Sequence, residues 1–458
     1  MQCKVVIVGA GIAGLSAAIS LRKSGHIVEI YEKSSFGNEV GAAITVAPNA
    51  GRLLKAWGID PVAARFVTSD SIHFLSHESL DELSSIDQTY VEKLFGAPLW
   101  YAHRVDLHDA LKRLATDQGG PGKPVVIHLG QSVVGYNSDK PSVTLSSGEV
   151  IYGDIVIAAD GIHSIAVETV TGSANPPLPA HSLNRCYRFL LKRSDIDPES
   201  EASLFLQDGF EKSCRVFSDL SKPRRMVYYP CRNAEMLNFG NLCHDEDVNP
   251  KSSREAFAVD WHATVDKSDL INRFAGFHPS LLAAINAATE VKRWPLLYRA
   301  PVSTWHKGGL ALIGDAAHPM MPLQAQGGSQ SIEDGMAIGL TFHGLEDKSQ
   351  IPKRLALYDK IRRNRASFIQ ILSNKGVEEG MSEELVQYLE GSPTPKNAEE
   401  ILKFVYGHDI FEYTTLHMKE VYPNWKLPEG LVSGLSEYER RVTSPILDFD
   451  LTNAPDNV

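Results

Sequence analysis

Apolar runs and segments of helical period alternate at the start of the chain. Residues 3–8 (CKVVIV) are almost continuously apolar, which predicts a short buried strand. A glycine turn follows, and apolar residues then recur near helical spacing until Gly25, where the helix is expected to end. A second apolar run covers residues 27–32. Strand, helix and strand in this order predict a βαβ unit, and such units build parallel sheets that helices cover on both faces.

Further along, the pattern indicates a second kind of sheet. Between about 180 and 290, apolar and polar residues alternate in several short segments, which is typical of antiparallel strands. The remaining pattern predicts a helix over 105–116, strands over 125–128, 143–146, 151–158 and 310–313, a helix after 328, and a helical, charged tail past about 375.

We therefore predict an α/β protein with two interleaved domains. The parallel-sheet domain is discontinuous and comprises residues 1–75, 101–180 and 291–375. A mostly antiparallel sheet domain is inserted as residues 76–100 and 181–290. Residues 376–458 form a helical C-terminal region.

Composition narrows the possible partners. The 458 residues include 45 basic and 56 acidic side chains, so the formal net charge is −11. This balance argues against nucleic acid and against an anionic membrane surface as partners. The five cysteines form no C-x-x-C pair and no metal-ligand spacing, so we expect reduced thiols and no metal site. No run of 18 apolar residues predicts a transmembrane helix, and we expect a cytoplasmic protein.

The first glycine turn has the spacing of a dinucleotide-binding loop. Gly9, Gly11 and Gly14 form G-x-G-x-x-G between the first strand and its helix. In such a loop the glycines allow a tight turn, a close approach of backbone to a pyrophosphate, and close helix packing. Glu32 ends the second strand, where a carboxylate can accept the hydroxyls of a ribose. The motif alone is weak, but this strand–turn–helix context predicts a dinucleotide site.

Two aspartates follow other predicted strands. Asp160 precedes Gly161 after the strand at 151–158, and Asp315 follows the strand at 310–313. Asp315 is placed to bond a sugar or ribitol hydroxyl, whereas the Asp160-Gly161 pair alone would suit an ordinary turn. Gly327 and Gly328 lie just before the next predicted helix, so their bare amides lie at its positive end and suit a ring that becomes anionic on reduction.

The three motifs together resemble the aromatic-hydroxylase group of FAD-dependent monooxygenases, which includes salicylate hydroxylase and fungal phenol-dearomatising enzymes. GAGIAG resembles the group's ADP-binding turn, AADGIHS its Asp-Gly motif for FAD and NAD(P)H, and GDAAHPMMP its ribitol motif. The resemblance spans residues 3–375. Two further segments also resemble the group. The first contains Gly41 and Ala43 and corresponds to a segment beside the isoalloxazine. The second contains Arg104, which corresponds to an arginine that contacts the cofactor in the group. An ion pair of Arg104 with Asp106 or Asp109 is the alternative.

This resemblance implies a Rossmann-like FAD-binding domain with an inserted substrate sheet, and an enzyme that consumes NAD(P)H and O2. It implies hydroxylation, with or without dearomatisation, of a small phenol by a flavin hydroperoxide, in fungal secondary metabolism or salicylate-type breakdown. It also implies that Arg188 and Tyr229 contact the substrate oxygen. Arg193, Arg215 and Arg232 are rival arginines, and strand alternation allows only one of Tyr228 and Tyr229 to face the pocket.

Several alternatives stay open at this stage. An epoxidase of an alkene or terpenoid precursor, or a flavin-binding scaffold without activity, would carry the same three motifs. No motif encodes the substitution pattern of the substrate ring. The choice between NADH and NADPH as electron donor and the choice between monomer and homodimer also stay open. We expect His318 to have a structural role. Glu333 and Asp334 are expected to cap the start of their helix or face solvent.

Overall fold

The structure is a computed structural model that describes residues 1–36, 42–180, 183–245, 264–375, 383–389, 394–428 and 430–431. Its strands are β1 Lys4–Val8, β2 Ile27–Glu32, β3 Ala43–Val46, β4 Val67–Thr68, β5 Ser71–Ser76, β6 Glu82–Asp87, β7 Trp100–His103, β8 Val126–Leu129, β9 Val133–Asn137, β10 Ser142–Leu145, β11 Val150–Tyr152, β12 Ile155–Ala158, β13 Leu178–Pro179, β14 Arg185–Lys192, β15 Ser213–Asp219, β16 Arg224–Cys231, β17 Met236–Cys243, β18 Thr264–Val265, β19 Val291–Pro295, β20 Leu297–Tyr298, β21 His306–Lys307 and β22 Leu310–Leu312.

Helices pack on the two large sheets described below and also form the C-terminal part of the chain. They are α1 Ile12–Lys23, α2 Pro48–Trp57, α3 Val91–Phe95, α4 Arg104–Thr116, α5 Ala166–Thr171, α6 Lys267–Arg273, α7 Pro279–Ala287, α8 Gly327–Phe342, α9 Ile351–Lys375, α10 Glu383–Val386, α11 Ala398–Tyr406 and α12 Ile410–Val421. Among the described residues, none of the helices is both long and apolar enough to span a bilayer.

The first large sheet has six strands in the order β21-β22-β12-β1-β2-β8. Neighbouring strands from β22 to β8 run parallel, and only the short β21 is antiparallel. Apart from Lys4 at the start of β1, its central strands β1, β12 and β22 are buried along their whole length, as the continuous apolar runs predicted. The βαβ unit of β1, α1 and β2 is confirmed, and the α/β fold class with it.

The second large sheet has eight strands in the order β18-β19-β14-β17-β16-β15-β5-β6. All neighbours are antiparallel except β15 and β5. The mostly antiparallel sheet is therefore present, and it includes β5 and β19. The predicted domain limits assigned residues up to 75 and from 291 to the other domain. By strand pairing, however, Ser71–Ser76 and Val291–Pro295 belong to this eight-stranded sheet.

The two faces of the second sheet differ in their covering. One face carries a core of large aromatic side chains, including Tyr187, Phe239 and Tyr228, packed under α6 and α7. On the opposite face, residues such as Cys214 and Val216 pack against Tyr101 and Leu99, beside the small sheet β3-β7-β4. This inner face therefore lies toward the parallel-sheet domain.

Glycines on α8 allow it to lie directly against α1. A Cβ atom on Gly335 would be 2.5 Å from the backbone carbon of Ser16, and one on Gly339 would be 2.2 Å from the Cβ of Ser20. The two glycines are four residues apart and so lie on one side of α8. This close packing brings the start of α8 beside the glycine turn before α1.

We expect Gly335→Ala to lower the free energy of unfolding by about 1–3 kcal/mol, because the added methyl overlaps a backbone atom that cannot move aside. Thermal or urea unfolding monitored by circular dichroism measures the loss. Gly119→Ala is the matched control, since its Cβ would lie 3.8 Å from the nearest side-chain atoms. Equal stability of the two variants would contradict the packing argument.

Candidate functional site

The glycine turn leaves one stretch of backbone open. Gly9 has φ +98° and donates its N–H to the carbonyl oxygen of Tyr31 at 2.9 Å. A Cβ there would lie 2.5 Å from the oxygen of Ala159, and a Cβ on Gly14 would lie 2.0 Å from the oxygen of Gly9. A Cβ on Gly11 would meet nothing within 4 Å. Gly9 and Gly14 are thus required for packing, while Gly11 exposes the start of α1 to an approaching group.

Glu32 closes one side of the recess beside this turn. Its two carboxylate oxygens accept the backbone N–H groups of Ala10 and Ser34, each at 2.7 Å. Each oxygen can accept a further hydrogen bond, so these contacts leave room for the predicted ribose hydroxyls. The recess has a volume of about 150 Å³, and Arg104 and His108 are also in its wall.

Arg104 is the first residue of α4 and is exposed beside the recess. Its backbone N–H donates to the carbonyl oxygen of Ala42 at 2.9 Å. The alternative ion pairs are not formed. Asp106 instead accepts hydrogen bonds from Arg65 and Arg232, and Asp109 pairs with Lys112 at 3.0 Å. Arg104 therefore lies in the wall of the recess, and its contact with the cofactor stays a prediction.

Asp160 lies at the end of β12, beside β1. Its Oδ2 accepts the hydroxyl of Tyr136 at 2.7 Å, and burial raises the pKa of the Asp160 carboxyl although Ser164 and Tyr136 oppose the rise. Its Oδ1 is buried and has no hydrogen-bond partner in the described part of the chain. Gly161 follows with φ +83°, and a Cβ on it would enter open space. The pair therefore offers an unsatisfied acceptor beside bare backbone.

Asp315 lies in a single turn, Gly314–Ala316, directly after β22. Gly314 has φ +58°, and a Cβ on it would be 2.6 Å from the Cβ of Ala13. The turn is thus held against the start of α1. The Asp315 side chain is exposed, yet protein surrounds it closely enough that desolvation raises the pKa of its carboxyl. His318 and Arg104 lower the pKa of this carboxyl and so oppose the effect of burial.

The first turn of α8 lies against β3. A Cβ on Gly328 would be 2.8 Å from the Cδ1 of Ile44, and one on Gly327 would be 3.8 Å from Met320. The glycines therefore bring a positive helix end close to Ala43 and its neighbours. The predicted Gly41 lies outside the described residues.

The expectation for Glu333 and Asp334 was wrong, because both side chains are fully buried within α8. Arg362 donates to Glu333 at 2.6 Å and to Asp334 at 2.8 Å, and Arg365 donates to Glu333 at 2.8 Å. Burial alone would raise the pKa of the Glu333 carboxyl, but Arg365 and Arg362 outweigh it and hold the pKa below its ordinary value. We call these four residues the buried charge cluster.

The buried charge cluster also holds the Asp315 turn. Asp334 Oδ2 accepts the backbone N–H of Gly314 at 2.8 Å and lies 2.6 Å from His318 Nε2. His318 is fully buried against the ring of Trp305. These contacts fit a structural role for His318. Sequence reasoning missed Arg362 and Arg365, although their spacing of three places both on one side of α9.

The inner face of the eight-stranded sheet carries Arg188 and Tyr229. Strand register places them on the same face, opposite Gly240 and Asn238 respectively. Tyr228 points the other way into the aromatic core, where its hydroxyl donates to the oxygen of Phe210. The Arg188 guanidinium lies 5.5 Å from the ring of Trp294.

The sheet is docked on the backbone of Ala43. The Tyr229 hydroxyl donates to the Ala43 oxygen at 3.0 Å, and Asn238 Oδ1 accepts the Ala43 N–H at 3.1 Å. Burial raises the pKa of Tyr229, although the charge of Arg188 opposes the rise, so the hydroxyl keeps its proton. Asn238 was not singled out from the sequence, since an amide inside a strand has no distinctive pattern. Arg188 and Tyr229 remain predicted substrate contacts.

The rival arginines have other partners. Arg193 donates to the carbonyl oxygen of Leu206, Arg215 lies 3.7 Å from the ring of Phe210, and Arg232 pairs with Asp106. Arg188, like Arg193 and Arg215, has no carboxylate partner among the described residues, but it lies on the inner face of the sheet, whereas Arg215 lies on the face of the aromatic core.

Together the fold and these loops define a dinucleotide-binding flavoprotein. A parallel sheet, an open glycine turn, the unsatisfied Asp160 oxygen and the exposed Asp315 and Arg104 converge at one sheet edge. Comparison with known families agrees. The chain matches the model of an NAD(P)-binding Rossmann-like domain over residues 7–51 and that of an FAD binding domain over residues 258–370.

Comparison with known proteins gives the family. The chain is 42% identical to FAD-dependent monooxygenase cfoG of Aspergillus candidus, over 92% of this chain and 96% of that protein. It is 30% identical to hispidin-3-hydroxylase of Neonothopanus nambi, over 80% of this chain and 82% of that protein. Its fold matches a salicylate hydroxylase substrate complex with a TM-score of 0.69 and 22% identity, over 91% and 98% of the two chains. The chain belongs to the FAD-dependent monooxygenases, and FAD is its cofactor.

We expect Gly11→Ala to weaken FAD binding by at least about tenfold while the protein stays folded, because its Cβ fills the space a pyrophosphate needs and contacts no protein atom. Flavin retained after purification and the FAD dissociation constant measure the effect. The melting temperature of the protein stripped of flavin should match that of the parent. Unchanged flavin content in the variant would contradict the assignment.

Glu333→Gln should lower the free energy of unfolding by about 3–5 kcal/mol, because it leaves Arg362 and Arg365 without their shared carboxylate. Glu333 has a lowered pKa, so its stabilisation is present above the ordinary value of 4.5 and is lost as pH falls below it. The difference from the parent in urea unfolding should therefore narrow at acid pH.

The matched control is Glu399→Gln, whose exposed pair with Lys403 at 2.9 Å should change stability by less than about 0.5 kcal/mol. A similar, small effect at both positions would show that the buried charge cluster does not stabilise the fold.

Proposed function

We propose that this protein hydroxylates a phenolic small molecule, with NAD(P)H as the electron donor and O2 as the oxygen source. The observation that supports this most directly is the Arg188 guanidinium, which lies on the inner sheet face with no described carboxylate partner. Arg188 is partly buried, and a partly buried cation without a counter-ion gains from a ligand that supplies negative charge. A phenolate oxygen is such a charge, and two of the similar proteins carry hydroxylase names.

Arg188 acts on the ionisation of the substrate. Its fixed positive charge in a poorly solvated pocket lowers the pKa of a phenol bound beside it. The phenolate then donates electron density to its ortho and para carbons, which makes them reactive toward an electrophilic oxygen. FAD, when bound, supplies the reduction of O2 and the oxygen transfer.

Tyr229 and Trp294 orient the same ring. Because the Tyr229 hydroxyl donates to Ala43, its oxygen remains able to accept a hydrogen bond from a substrate hydroxyl. Trp294 already lies against Arg188 and supplies a flat apolar wall. Since Tyr229 also contacts the backbone of β3, a substrate bound to it is held in register with the cofactor side of the site.

The proposed activity is tested with the purified holoenzyme. Addition of simple phenols should accelerate NAD(P)H oxidation together with oxygen uptake, and mass spectrometry should show a product with one more oxygen atom. NADH and NADPH are compared in the same assay. If no phenol accelerates oxidation, while an alkene gives an epoxide, the proposal is wrong.

Arg188→Ala should retain bound flavin but lose at least about 30-fold in kcat/KM for the phenol, because the phenolate loses its buried charge partner. Tyr229→Phe should lose less, since one hydrogen bond is removed and the ring is kept. Arg215→Ala is the matched control, since Arg215 lies on the opposite face of the sheet against Phe210. Full turnover by Arg188→Ala would show that Arg188 is not part of the substrate site.

A further inference from the structure

A groove continues outward from Arg188 along β14. It has a volume of about 390 Å³ and reaches from Ala42, directly before β3, past Asn238 and Leu190 to Lys192. Asn238 is buried, whereas Lys192 is exposed, so the groove joins the cofactor side of the sheet to the surface. A cavity of about 150 Å³ is enough to hold benzene, so a single ring would fill well under half of this space.

The edge of β14 is open along the groove. β19 pairs with β14 only from Arg185 to Arg188, and from Phe189 to Lys192 the described strands pair with β14 on the β17 side alone. The strand therefore presents main-chain N–H and C=O groups in the groove wall. Such an edge can hydrogen-bond carbonyl or hydroxyl groups of a ligand.

The chemistry of the wall changes from the inner to the outer end. Arg188 and Trp294 provide a cation and an aromatic face at the inner end, and Leu190 and Met236 provide flexible apolar surface beyond them. At the outer end Lys192 and Asp195 are exposed. This order suits a molecule with an acidic aromatic head and a mainly apolar chain.

We propose that the groove is an extended substrate subsite for phenols with a long apolar substituent. The ring binds at Arg188 and Trp294, and the substituent lies along β14 toward Met236. Leu190 and Met236 then determine the length of chain that the enzyme accepts. This inference rests on the proposed function, because Arg188 is taken as the anchor of the reacting ring.

A homologous series of 5-alkylresorcinols tests the groove. Binding of the methyl, propyl and pentyl compounds to the holoenzyme is measured by the change in flavin absorbance on titration. Affinity should rise about two- to fourfold for each methylene, and at least about tenfold from methyl to pentyl, because each methylene leaves water for an apolar wall. Affinity that does not depend on chain length, or no binding at any length, overturns the proposal.

Leu190→Trp tests the position of the chain. The larger side chain narrows the groove, so the ratio of pentyl to methyl affinity should fall below about threefold. Leu220→Trp is the matched control, since Leu220 is 82% exposed and is not part of the groove wall, and it should keep the parent ratio. Met236→Phe narrows the groove from the neighbouring strand β17. It replaces Leu190→Trp as the test variant if Leu190→Trp does not retain its flavin. An unchanged ratio in the flavin-containing groove variants overturns the proposal.

The two proposals fail separately. Binding that strengthens with chain length, without any acceleration of NAD(P)H oxidation, contradicts the hydroxylase function and retains the groove. Turnover of every resorcinol at the same kcat/KM retains the function and contradicts the groove.

Discussion

The site depends on one interaction that lies entirely away from solvent. Glu333 and Asp334 on α8 form buried ion pairs with Arg362 and Arg365 on α9. Asp334 also accepts the backbone N–H of Gly314. Two carboxylates in a protein interior are costly alone, and the two guanidinium groups satisfy them with several charge-assisted hydrogen bonds. Because Asp334 bonds to the turn itself, the placement of Asp315 follows from the same pairing. The glycine contacts between α8 and α1 then bring that turn beside the dinucleotide loop.

A second constraint connects the sheets. Ala43 lies in β3, beside the start of α8, and both of its backbone polar groups are bonded to side chains of the eight-stranded sheet. The sheet is thus aligned to the cofactor domain through main-chain atoms, whose position does not depend on the identity of the side chain. Tyr229 makes one of these bonds from the sheet face that also carries Arg188. Tyr229, which we propose as a substrate contact, therefore also docks the sheet.

Local pattern was sufficient for much of this structure. The βαβ unit, the glycine turn and the buried strands could be read from the sequence because their signals lie within short windows and reflect backbone geometry. Strand alternation also separated Tyr228 from Tyr229, since the period of two leaves one of them in the aromatic core. The error at Glu333 and Asp334 has a physical origin. An acid in the early turns of a helix resembles a cap unless the chain also reveals which distant cations reach it, and Arg362 lies about thirty residues away.

Asn238, Trp294 and the open edge of β14 could not be found from the sequence for a related reason. Their roles arise where β19 stops pairing with β14, and the length of a pairing is decided by the geometry of two strands about one hundred residues apart. The loops predicted to bind the cofactor have little freedom to vary, because added Cβ atoms at Gly9, Gly14 or Gly328 would meet protein atoms. The wall past Arg188 has no such restriction, since Leu190 and Met236 project from strand positions that accept many side chains. Under the proposed groove, a chain of this fold can therefore change the size of its substrate at the sheet edge without disturbing the buried charge cluster or the glycine turns.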